Sequence, residues 1–114
     1  MNNEAKIAQV EVGIEAAKEA IAVGEALDRL IRNADFIKVI HEGYFKEEAS
    51  RLVLFKSAPA CEEEAAQKGI TKAIDAIGGL HQYLTSVFQK SVQMKKALAD
   101  DELTREELLA EDMA

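Results

Sequence analysis

Between Ala73 and Leu98 the residues of one stripe recur in strict four-three alternation, all apolar but Ser91: Ala73, Ile77, Leu80, Leu84, Val87, Ser91, Met94 and Leu98. Residues spaced three and four apart fall on one side of an α-helix, and a heptad pattern sustained over more than three repeats is the signature of a coiled-coil or bundle seam. A chain with this pattern needs at least one other long helix to cover it. Gly78 and Gly79 lie inside the seam, where missing side chains let another backbone come near, so the pair is expected to mark a helix crossing, with a flexible hinge as the alternative. At about 1.5 Å per residue, thirty residues of this helix extend roughly 45 Å.

The rest of the chain reads the same way. Ile7, Val10, Ile14, Ala17 and Ile21 form a second four-three stripe on a helix from about residue 3 to 31. The register slips through Gly24 and resumes at Leu27, Leu30 and Ile31. Asn33 is placed to stop this helix or to cap the next. Residues 34–57 hold most of the aromatics: Phe36, Tyr44, Phe45 and Phe55 stand at helical spacing with Ile37, Ile40, Leu52 and Val53. Gly43 marks a kink or a tight contact, and the aromatic cluster is read mainly as core, with Tyr44 or Phe55 facing a partner as the alternative. Glu47 and Arg51 have the i,i+4 spacing of a helix ion pair. Ser57-Ala58-Pro59 ends the helix, because the residue before a proline avoids the α region.

A third helix is expected over about 60–99, with Glu62, Glu63 and Glu64 near its positive end. The chain contains one Pro and six Gly, too little turn material for a β-protein. With 48% hydrophobic residues it is rich enough to fold. The expected class is all-α: a long-helix hairpin or three-helix bundle, with a coiled-coil-like seam and a short acidic C-terminal helix. The body spans 1–99 and the acidic segment 100–114. In that segment Thr104-Arg105-Glu106-Glu107 has the form of a capping box, which predicts a short helix over about 104–111. Leu108 and Leu109 are its bulky apolar residues.

Charge is concentrated at that end. Residues 99–114 carry seven acids against Arg105 alone, and residues 1–98 hold fourteen acids and thirteen bases, within a total of −7. Phosphate-backbone binding needs clustered Lys and Arg, so nucleic acid as the main ligand is disfavoured. No stretch approaches the roughly 18–20 apolar residues that span a bilayer, which disfavours a membrane protein. Nothing near Met1 resembles a signal peptide.

No catalytic, metal or cofactor site is expected. His41 and His81 lack partners at metal-ligand spacing, and neither has a Glu three residues before it, since Lys38 and Gly78 stand there. Cys61 is the sole cysteine and is followed by three glutamates, a setting that makes a poor thiolate. The chain has no phosphate-binding loop, dinucleotide fingerprint or nucleophile elbow. The candidate functional residues are therefore contacts: Ile77, Gly78, Gly79, Leu80, Leu84, Val87, Met94, Leu108 and Leu109.

Three stretches together resemble small uncharacterised helical proteins from the structural and morphogenesis gene clusters of tailed bacteriophages. They are the run from Ala26-Leu27-Asp28-Arg29-Leu30 through Gly43-Tyr44-Phe45-Lys46-Glu47-Glu48-Ala49, then Ile74-Asp75-Ala76-Ile77-Gly78-Gly79-Leu80, then Leu103-Thr104-Arg105-Glu106-Glu107-Leu108-Leu109. The similarity covers most of the chain from about residue 26 onward. It implies a virion structural or assembly protein near the portal, head or tail, acting as a homo-oligomer or on other phage structural proteins. The location it implies is the virion, or the host cytoplasm during assembly. Two alternatives stand beside it: a small acidic regulatory module that inhibits a host factor, and a transient assembly chaperone or scaffold.

Overall fold

The structure is a computed structural model and describes residues 2–114. It is all-α, with no strand among the described residues. Helix α1 runs Glu4–Arg32. A short α2, Ala34–Phe36, leads into a π-helical segment, Ile37–Glu48, and then α3, Ala49–Lys56. A 3₁₀ turn at Pro59–Cys61 precedes α4, Glu64–Met113, which is 50 residues long.

The local chemistry explains these limits. Asn33 adopts an extended conformation (φ −69°, ψ 129°), and its Oδ1 accepts from the amides of Asp35 and Phe36, so it caps the helix that follows α1. Ala58 is likewise extended, as the residue before Pro59 must be, and α3 stops at Lys56. The Gln67 side chain fastens the turn by donating to the carbonyls of Lys56 (3.0 Å) and Cys61 (2.7 Å).

The chain divides into two compact units: Met1–Leu27 with Ser86–Ala114, and Asp28–Thr85. This division differs from a helical body followed by a separate acidic segment. In the terminal unit, α1 and the second half of α4 pack antiparallel. Gly24 meets Ser91, Gly13 meets Asp101, and Asn3 meets Leu108, Glu111 and Asp112. Ile14, Ala17, Gly24 and Leu27 are buried on the α1 stripe. Gly24 is therefore a buried member of that stripe. A Cβ there would overlap Ser91 Oγ and Cβ and lie 3.7 Å from Ser91 Cα. This is the close helix approach that the sequence suggested at Gly78 and Gly79. An added Cβ at either of those two glycines would have nothing within 4 Å.

The acidic end also differs from expectation. Helix α4 continues through Asp100–Leu103 without a break, so Thr104 caps nothing. Its Oγ1 donates instead to the carbonyl of Asp100 at 3.0 Å, the i−4 back-bond of a mid-helix threonine. Two of the acids, Glu111 and Asp112, are held by Asn3. The Asn3 amide donates to both carboxylate oxygens of Asp112 (3.1 and 3.2 Å), and Asn3 Nδ2 donates to Glu111 Oε2 (2.7 Å) and the Leu108 carbonyl (3.2 Å). Asn3 is only 3% exposed. Carboxylates at the positive end of α1 are favourable, and they satisfy a donor that the helix start leaves unpaired.

In the central unit, the π segment and α3 pack antiparallel to the first part of α4. Lys56 Nζ donates to Thr71 Oγ1 at 3.1 Å near the turn, and the Phe45 and His81 rings meet edge to face at 5.4 Å further along. The inward residues Phe36, Ile40, Tyr44, Glu48 and Leu52 recur every four, and each is half-buried or buried. An α-helix advances 3.6 residues per turn, so a strict repeat of four would wind off the face. The π segment has wider i→i+5 turns, and Ile40, Tyr44 and Glu48 line the space toward α4 with Leu52. Gly43 sits within this widened stretch, and a Cβ there would lie 3.3 Å from the Lys38 carbonyl.

Candidate functional site

An open groove of about 530 Å³ lies in the central unit. One wall is Val39, Ile40, Gly43, Tyr44, Glu48 and Leu52 from the π segment and α3, and the other is Ala73, Ala76 and Ile77 from α4. The groove exists because Gly43, Ala73 and Ala76 are too small to fill the space between two helices held apart by their larger neighbours. Leu52 and Ile77 close its floor at 5% and 7% exposure, and Val39 stands 63% exposed. A volume within the range of small-molecule pockets does not make this a reaction chamber, since such sites also need convergent polar groups. Glu48 is the one acidic or basic wall residue.

That carboxylate is already engaged. Arg51 Nε donates to Glu48 Oε2 at 3.1 Å, and its Nη2 donates to Oε1. The hydrogen bond from Arg51 holds the Glu48 carboxyl below its ordinary value, partial desolvation opposes this, and the guanidinium charge adds to the lowering. The same hydrogen bond raises Arg51. This i,i+3 pair takes the place of the i,i+4 pairing of Glu47 with Arg51, because the π turns bring Glu48 to the inner face. Arg51 also lies over the Phe55 ring, 4.8 Å from its centroid, so Phe55 carries a cation on one face while 43% exposed. Tyr44 lines the groove and its ring meets Phe45 at 5.9 Å.

A smaller cleft of about 380 Å³ near the turn is lined by Lys56, Glu64, Gln67, Lys68, Thr71 and Lys72. Lys68 pairs with Glu64 at 3.3 Å. His41 lies 3.9 Å from Glu42, and Cys61 is half-buried. Among the described residues, no three His, Cys, Asp or Glu side chains group as metal ligands, and no helix is long and apolar enough to cross a membrane.

The structure distributes the expected contact residues along α4. Ile77 is buried in the groove floor, while Leu80 is 36% and Leu109 46% exposed. Leu84, Val87, Met94 and Leu108 are half-buried, and Gly78 and Gly79 are exposed. The helix seam is thus used largely within the chain, beside buried Ser91. On the π-helical wall, Gly43 was expected at a kink or tight contact and Tyr44 as an alternative partner residue, whereas Val39 and Ile40 were not among the expected contacts. The repeat of four from Phe36 to Leu52 was the signal that could have found it. No known protein family, curated protein or solved structure matches the chain.

Proposed function

We propose that the chain is a non-enzymatic subunit that works by packing its helices against a partner, with the groove of the central unit as the docking surface. One observation carries this reading. The buried hydrophobic residues are Ile14, Ala17, Leu27, Leu52 and Ile77, whereas Val39, Val53, Leu54, Phe88, Val92 and Leu103 all remain more than half exposed. Helices with so sparse an interior gain stability by covering apolar surface on another chain, at about 25 cal/mol per Å². An apolar groove with one neutralised carboxylate suits a helix laid into it.

The wider setting follows the resemblance to phage structural-cluster proteins. In this reading the subunit belongs to a virion or its precursor, packed on itself or on a portal, head or tail component. Peptide mass spectrometry of mature particles and empty precursors of the encoding phage tests it. A fixed copy number in mature particles supports a virion component, and presence in precursors alone supports a scaffold or chaperone. Absence from both overturns the virion and scaffold readings in favour of an acidic, host-directed regulatory module. The charge near α4's end favours that second reading, and it predicts salt-sensitive binding to a basic partner.

A further inference from the structure

We propose that the groove is covered by a second copy of this chain, the two central units packing face to face as a four-helix bundle. This rests on the helix-packing reading and names its partner.

A two-fold contact requires one patch to supply both projection and recess, because each copy presents the same surface. The groove meets that requirement. Val39 projects at its rim, 63% exposed, beside the recess over Gly43 and Ala76. The α4 wall extends along the same flank, since Ala76, Leu80 and Tyr83 follow i, i+4, i+7, and the latter two are 36% and 61% exposed.

Charge directs the contact to this unit. Residues 28–85 hold nine acids and eight bases, whereas residues 1–27 with 86–114 hold twelve acids and six bases. Two terminal units would repel each other, and two central units would not. Burying the groove also strands no unpaired charge, because Glu48 already holds Arg51.

The area suffices. The 22 residues from Glu64 to Thr85 make a helix about 33 Å long, and two helices about 8–10 Å apart present a face of roughly 600 Å² in projection. Accessible area exceeds projection, which brings the face near the ~800 Å² per partner of a specific interface.

The test is molar mass by light scattering and sedimentation across micromolar concentrations, with helicity by circular dichroism. The full chain should weigh twice 12.5 kDa. Ala76→Arg and Val39→Lys, both at solvent-accessible wall positions, should each weaken association at least tenfold with helicity unchanged. Val23→Arg, on the exposed side of α1 in the terminal unit, should leave the dimer intact. A monomer at every concentration overturns the proposal, as does a dimer that survives both groove variants or is lost with Val23→Arg. A monomer that still joins phage particles would refute self-pairing and leave the helix-packing reading standing. A dimer absent from particles and precursors would leave self-pairing standing and overturn the virion setting.

Discussion

Glycine in a helix interior costs about 1 kcal/mol relative to alanine, so replacing one with alanine normally stabilises a protein. The sign depends on what the new methyl group meets. At Gly78 nothing lies within 4 Å, and Gly78→Ala should raise stability by about 0.5–1 kcal/mol. At Gly24 the methyl would overlap Ser91, and Gly24→Ala should lower stability by about 1–3 kcal/mol despite better helix propensity. Thermal unfolding of the two variants, side by side, reads both signs. Equal shifts would mean that α1 and α4 do not approach closely at Gly24. Glu48 offers a second check at this scale. Its folded pKa lies below the ordinary value, so whatever the ion pair contributes is present above that ordinary value and is lost as pH falls through the depressed one. The pair is exposed, so the readout is titration rather than stability. In Arg51→Ala the carboxyl carbon of Glu48 should titrate at a higher pH by NMR, and an unmoved midpoint would show that the guanidinium does not hold it.

Among the elements, α1 depends on its first residue-to-residue tie. Asn3→Ala removes two donors from Glu111 and the Leu108 carbonyl at a site 3% exposed. Losing a hydrogen-bonded buried polar group costs about 1–3 kcal/mol. Amide exchange should therefore quicken in the first turn of α1 and the last turns of α4, and unchanged protection there would rule out docking of the acidic end. How much of this could be read beforehand varies by element. The α1 and α4 stripes were plain, because four-three alternation has one structural meaning. The continuity of α4 through Thr104 was hidden, since a threonine followed by Glu107 fits both a cap and a mid-helix back-bond. Only the pairing of Asp101 and Asp112 with α1 favours continuity, and that is a contact between distant residues. The π segment was hidden for a similar reason. Apolar residues at 36, 37, 40, 44, 45 and 52 tolerate an α register, and packing against Ala73 and Ile77 selects the wider turns. The groove followed from the small residues at 43, 73 and 76, which no periodicity singles out.

For the molecule as a whole, two units with separate buried residues predict two blocks of hydrogen exchange. Ile14→Ala should lower protection across residues 2–27 and 86–114, and Leu52→Ala across 28–85, each by about 2–5 kcal/mol in its own block. If either substitution lowers both blocks equally, the chain opens as one cooperative body. The terminal unit has a further consequence, which concerns the order of synthesis. Helix α1 is made early, yet its covering surface on α4 begins at Ser86. At about 5–20 residues per second, the roughly sixty residues between Leu27 and Ser86 take about 3–12 s to translate. Throughout that interval Ile7, Val10, Ile14 and Ala17 leave the ribosome without their partner. Residues 28–85 are also made before then, so for that interval the beginning of the chain is a client for whatever shields apolar helices in the cell.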